Sequence, residues 1–406
     1  MSRRTAEVVV IGAGVMGASV AYHLARRGCR DVLVLERFDR PGLGSTGKAT
    51  GGFRSQFTTD VYVRLSLAAR DRLKRFQEEL GVDPGYRPVG YLFMARTAPQ
   101  LEALRAAMVV QRAAGLRDVR EVGPDDIRWL SPTVRADDLI GGTFGPTDGY
   151  IVPLEIMRGF IGAAQRLGVQ FEYDAGWVEC VAEGGRIVGV RTPRDVVGTR
   201  RVVNAAGPWA GLVARTAGVD IPVSPLRRQT AVTQPFPRLP ADTPMTINVD
   251  DGFHFRVRDG RVWLLWPDDL PADDPFDVTF DRWWLDGLLR RAHDRVPVLR
   301  EAEIDLDRCY CGLYEMSPDK HALVGPAPGV EGLYLINGSS GHGVMHSPVL
   351  GELLVEIMLD GRAHTLDIHA LRPSRFARSH PPGDRDSVTM EHARGIRGDK
   401  EGGRAS

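Results

Sequence analysis

The 406-residue chain has little cysteine and little lysine, four of each, and no excess charge of either sign. Cys29, Cys180, Cys309 and Cys311 form neither a dense disulfide framework nor paired CxxC spacing, so no zinc or other metal site is expected and a reducing, cytoplasmic setting fits. Lysine plus arginine equals aspartate plus glutamate at 52 each, which removes the global field that would draw the protein to nucleic acid or anionic lipid. No apolar run approaches the roughly 18 residues a membrane span needs, and no apolar stretch of signal-peptide kind follows Met1 to Glu7, so neither a span nor a secretion signal is expected. What remains is a protein whose partner is a small molecule. Its length exceeds what one hydrophobic core usually serves, which predicts two interleaved domains.

Along the chain, short β-branched runs at 7–11 and 31–35 flank a helical stretch carrying Ala21, Leu24 and Ala25, and so predict strand, helix, strand. Helices are predicted over 61–80, ending at Gly81, over 99–114 and over 156–167. A β-meander follows from 169 to 190 with its turn at Glu183-Gly184-Gly185. Pieces at 229–233, 253–258 and 262–266 read as a substrate-side sheet. Residues 379–406, rich in Arg, Gly, Asp and Ser, predict a disordered tail.

The first motif is Gly12-Ala13-Gly14-Val15-Met16-Gly17, placed after a strand and opening a helix. Its glycines allow a tight turn, close approach of a pyrophosphate, and helix-on-strand packing. Glu36 ends the second strand, where a carboxylate can accept both ribose hydroxyls; Arg37 follows it. Three later loops bear on FAD against NAD. Gly42 to Lys48, with Gly44, Ser45 and Thr46, can wrap a pyrophosphate. Val202 to Trp209 runs into the small residues Ala206 and Gly207. Asn337 to Gly343, with Gly338 and Gly341, feeds a helix whose start, through His342, Gly343 and Val344, could stabilise negative charge. Each loop taken singly is as compatible with packing as with function. Val178 completes the predicted cofactor set.

Taken in order, VVVIGAGVMGAS, GSTGKATGGFRSQF, RPVGYLFMA, GPTDGYIVP, VVNAAGPWA, GLYEMSPDKHALVG and NGSSGHGVMHSPVLGE resemble the FAD-dependent amine and amino-acid oxidoreductases, the D-amino acid oxidase superfamily. The branch that is most similar holds sarcosine oxidases and dehydrogenases and the dye-linked L-proline dehydrogenase. The resemblance implies an α/β fold: a discontinuous Rossmann-type FAD-binding domain (1–85, 148–218, 322–372) and a second α+β substrate domain on a mixed, mainly antiparallel sheet (86–147, 219–321). It also implies dehydrogenation of a small secondary-amine or amino acid at its C–N bond. A D-amino acid or 2-hydroxy acid dehydrogenase, and a non-catalytic flavoprotein subunit or assembly partner of a larger dehydrogenase complex, stand as alternatives. The electron acceptor stays open.

On the same resemblance Arg54 falls where the family places an active-site arginine, and Arg256, in Phe253-His254-Phe255-Arg256, resembles the strand whose guanidinium takes a substrate carboxylate. His254 shares a strand face with Arg256, and His342 sits between two glycines at a helix start. Two departures matter. Members that tether FAD through cysteine carry it where this chain has Gly312, with Cys311 one place early, and those that use histidine carry it in the loop that here reads Gly47-Lys48-Ala49, so FAD is expected to be non-covalent. Family oxidases also carry a lysine on the strand that here reads 261–267, where Leu264, Leu265 or Trp266 stands instead. Of the four lysines, Lys48 alone is expected near the cofactor, so a dehydrogenase is expected over an oxidase.

Overall fold

The structure, a computed structural model, describes residues 4–268 and 274–376, so the tail expected from 379 lies outside it. Val8–Ile11 is wholly buried and pairs in parallel with Val32–Leu35 on one side and Val202–Asn204 on the other, with the helix Val15–Arg26 as crossover. The completed sheet has six strands in the order Leu323–Pro326, Leu333–Asn337, Val202–Asn204, Val8–Ile11, Val32–Leu35, Gln170–Glu172. Apart from the antiparallel edge strand Leu323–Pro326 it is parallel, and the Val, Leu and Ile runs at its centre are those of a sheet covered on both faces. Val15–Arg26, Pro153–Arg166 and Gly343–Asp360 pack on one face. Ala210–Thr216 and a three-stranded sheet cover the other.

Gly17 shows why the third motif position must be glycine: a Cβ there would lie 1.9 Å from the Gly12 carbonyl oxygen. The meander prediction needs correcting. Glu179–Glu183 and Arg186–Arg191 form the hairpin through Gly184 and Gly185, both at positive φ, but Gln170–Glu172 leaves it to extend the six-stranded sheet beside Val32–Leu35.

A second sheet has eight strands, in the order Tyr310–Met316, Ser224–Val232, Arg261–Leu265, His254–Arg258, Met245–Asn248, Tyr91–Ala95, Gly141–Gly145, Arg120–Val122. It is antiparallel except where Met245–Asn248 runs parallel to Tyr91–Ala95. Its register sets His254 opposite Leu265 and Arg256 opposite Trp263. Among the described residues no helix is long and apolar enough to cross a membrane, and no group of three or more His, Cys, Asp or Glu could hold a metal ion.

Candidate active site

One cavity of about 330 Å³ runs from the C-terminal ends of the parallel strands to the inner face of the eight-stranded sheet. Its first end is built by the Rossmann turn. Gly12 holds φ +102°, and any Cβ there would meet the Ala205 carbonyl oxygen at 2.6 Å, so the loop passes directly over the neighbouring strand end. Glu36 turns back to accept the N–H groups of Ala13 (2.8 Å) and Phe38 (3.1 Å), and burial raises its carboxyl above the usual range despite these bonds. The Thr46 hydroxyl accepts the Val15 N–H at 3.1 Å, and Ser45 donates to the Leu313 carbonyl at 2.7 Å, which pins the loop Gly42 to Lys48 between the first helix and the second sheet.

Gly12, Gly14, Val15, Met16, Glu36 and Arg37 line this end, and Gly44, Ser45, Thr46, Val178, Ala206 and Gly207 line the stretch beyond. A carboxylate with lone pairs to spare, a helix N-terminus and a run of residues without bulk fit the adenosine and pyrophosphate of FAD. Two predicted contacts lie elsewhere. Gly17 packs under the loop, and Gly338, at φ +70°, makes the turn over Leu323 and Ser317 without lining the cavity.

The far end gathers Arg54, His254, Gly341, His342, Gly343 and Val344. The Arg54 guanidinium lies over the Phe57 ring at 4.3 Å and the Phe93 ring at 5.8 Å, donates from Nη1 to the Gln56 carbonyl (3.2 Å) and from Nη2 to His342 Nε2 (3.0 Å). Burial and the Arg54 charge hold His342 well below the ordinary imidazole pKa. His254 keeps its Nδ1 2.8 Å from the Gly252 carbonyl. Tyr91, Phe93, Met245, Ile247 and Leu265 supply an apolar wall.

Arg256 is the correction. It is fully buried, its guanidinium lies 5.1 Å from the Tyr150 ring and 5.2 Å from the Trp263 ring, and it does not line the cavity. None of its three guanidinium nitrogens has a hydrogen-bond partner among the described residues, and burial lowers its pKa. Strand alternation gave the right face, but of the two residues only His254 lines the cavity. Sequence reasoning also missed Arg228, Tyr314, Glu315 and Lys320, all of which line the cavity. Burial pushes the Glu315 carboxyl up to about 7, where it accepts the Ser339 N–H at 3.1 Å. The GLYE and SPDK pieces of the 312–320 segment could have flagged Tyr314, Glu315 and Lys320, though spacing alone does not say which way they face, and no motif marked Arg228.

Gly312 lines the cavity, and a Cβ there would lie 2.8 Å from Lys48 Cβ. The neighbouring Cys311 is buried outside the cavity wall, its thiol pKa raised by burial with Arg227 opposing.

A family model described as FAD dependent oxidoreductase matches residues 7–357. Mitochondrial dimethylglycine dehydrogenase of Rattus norvegicus is 29% identical over 398 residues, covering 92% of this chain and 45% of its own length. Mitochondrial sarcosine dehydrogenase of Homo sapiens is 29% identical over 393 residues, covering 92% and 42%. This chain therefore spans less than half the length of these relatives. The crystal structure of L-proline dehydrogenase from P. horikoshii superposes with a TM-score of 0.84 at 27% identity, covering 93% of this chain and 99% of that one.

Proposed function

This chain belongs to the family of FAD-dependent oxidoreductases, and from that premise we propose that it oxidises the C–N bond of a small secondary-amine amino acid, of N-methyl or proline type, to an imine that water hydrolyses. The observation that carries the reading is the Arg54 guanidinium at the far end of the FAD cavity, beside an apolar wall. Two of its five N–H groups go to Gln56 and His342, which leaves Nε–H and one on each terminal nitrogen, enough for a bidentate grip on a carboxylate. The Phe57 and Phe93 rings lie 4.3 and 5.8 Å from its carbon, within cation–π range, and help to hold it in place. The names of the relatives, dimethylglycine, sarcosine and proline dehydrogenases, all denote carboxylates with an alkylated nitrogen.

Bound FAD supplies the acceptor for a hydride from the carbon beside nitrogen. Tyr91, Phe93, Met245, Ile247 and Leu265 exclude water and so favour the neutral amine, the form that can lose hydride. His254, whose Nδ1–H goes to the Gly252 carbonyl, is the cavity side chain to which we assign the amine proton. FAD is held without a covalent bond, since Gly312 offers no side chain and Cys311 stands outside the wall.

We read the enzyme as a dehydrogenase. Superoxide formation is assisted by a fixed positive charge beside the reacting ring, and Leu265 and Trp266 line the cavity on the strand where family oxidases carry lysine. Lys48 and Lys320 also line the cavity, Lys48 with its ammonium 5.2 Å from the Tyr310 ring and Lys320 on the side of His342, neither of them on that strand.

Anaerobic mixing with N-methylglycine, N,N-dimethylglycine and L-proline should bleach the flavin absorbance with at least one of them, and Arg54→Lys should raise KM about 10- to 100-fold. Full flavin content with no bleaching by any amine would overturn the assignment. Reoxidation by air as fast as by an indophenol dye, with stoichiometric peroxide, would make the enzyme an oxidase.

A further inference from the structure

Arg54 sits on a flexible side chain, and its use as a carboxylate fork depends on what holds it. Its Nη2 donates to His342 Nε2 at 3.0 Å. A guanidinium has donors only, so Nε2 must bring the lone pair to this bond, which makes His342 a neutral imidazole with its proton on Nδ1. That Nδ1 is buried and has no hydrogen-bond partner among the described residues. What sets this histidine apart is that it gives its single lone pair to an arginine on the cavity wall.

The surroundings enforce that state. Arg54 faces the ring across the bond, and Lys320 adds positive charge from the turn between Tyr310–Met316 and Leu323–Pro326. Phe57 and Tyr62 close the ring in edge-on at 4.9 and 6.0 Å between centroids. A second proton would set N–H against N–H at Arg54, so the arrangement opposes protonation both by charge and by hydrogen bonding.

We infer that His342 is a positioning residue, which as the neutral Nδ1–H tautomer holds the Arg54 fork toward the cavity and takes no part in proton transfer. The inference rests on the reading of Arg54 as the carboxylate site, and it separates two roles that the position of His342 beside the cofactor leaves merged. Proton handling then falls to His254 alone of the two cavity histidines named from sequence.

The test uses the FAD-loaded full chain and acetate as the carboxylate probe, followed through the flavin absorbance from pH 6 to 9. His342→Leu removes the acceptor, whereas His342→Gln keeps one in its side-chain oxygen. Leucine should weaken acetate binding about tenfold or more, and glutamine should restore most of it. In turnover, leucine should raise KM more than it lowers kcat, and the wild-type pH profile should contain no step that vanishes in the glutamine variant. Unchanged acetate binding in the leucine variant, or a step near the ordinary histidine pKa that glutamine abolishes, would overturn the inference. Should the leucine variant lose FAD, the glutamine variant decides: wild-type acetate affinity supports the role, and weak binding at full flavin content overturns it. A wild-type protein with full flavin that ignores acetate would overturn the carboxylate reading itself, and this role with it.

Discussion

Asp148 carries no part of the proposed chemistry, yet it fixes the segment that does. Fully buried, it accepts the Ser55 N–H at 2.6 Å and the Gln56 side-chain N–H at 3.0 Å, and Gln56 in turn accepts the Thr143 hydroxyl and donates to the Tyr91 carbonyl. The two residues after Arg54 are thereby tied to both strands Tyr91–Ala95 and Gly141–Gly145. Burial raises the Asp148 pKa to about 7, with Gln56, Ser55 and Arg54 opposing. The raised value means the folded protein holds this proton between about pH 4 and 7 while the unfolded chain releases it. The group's contribution to stability is therefore full below about pH 4 and is lost as pH rises to about 7. The wild-type stability minus that of Asp148→Asn should fall across this window by up to about 1.4 kcal/mol per pH unit, read from urea midpoints. A difference independent of pH would show the carboxylate charged throughout. Residues of this kind were the hardest to read from sequence: Arg54 and His342 sit in motifs, whereas the depth of Arg256 and the inward face of Lys320 depend on how two sheets converge.

At the scale of elements, the segment from 274 to 281 binds the substrate-side sheet to the adenosine end of the cavity. Trp209 donates its indole N–H to the Pro275 carbonyl at 2.8 Å and stacks on Phe276 at 5.7 Å between ring centroids. The Arg37 guanidinium lies 4.6 Å from the Phe276 ring and 5.9 Å from that of Trp209. Arg227, on Ser224–Val232, anchors the segment's far end through the Thr279 carbonyl and the Asp281 carboxylate. Phe276 is 40% exposed, so what it contributes here is the cover it gives to Arg37 and Trp209 beside the cofactor. One aromatic pair and one cation–π contact together amount to about 1–2 kcal/mol, and Phe276→Ala should speed FAD release about 5- to 30-fold, followed by the recovery of flavin fluorescence on dilution. Unchanged release would show that the segment only packs. The elements with local signals, the Rossmann unit and the helix Asp60–Leu80 ending at Gly81 in the left-handed conformation, were legible in advance. The edge strand Gln170–Glu172 was not, because its partner Val32–Leu35 lies far away in sequence and nothing in three residues distinguishes a hairpin arm from a sheet edge.

For the molecule as a whole, the FAD cavity is the place where both large sheets meet, lined from the parallel sheet by the ends of its strands and from the mixed sheet by Tyr91, His254, Leu265 and Gly312. No tether is proposed, so the cofactor is an ordinary ligand that binds the folded chain and not the unfolded one. Its effect on stability then follows mass action, RT ln(1 + [FAD]/Kd), about 2.7 kcal/mol at a free concentration of 100 Kd. Heat or acid should release yellow FAD into the supernatant, and the melting temperature should rise steadily with added FAD. Because the ligand contacts both sheets, it should shift a single transition, monitored through tryptophans on both sides of the cavity, Trp209 next to the parallel sheet and Trp266 next to the mixed one. Colour retained in the precipitate would reveal a covalent bond that Gly312 and Cys311 give no means to form. Two transitions, of which FAD moves only one, would mean that the sheets unfold separately and that the mixed sheet adds little to cofactor binding.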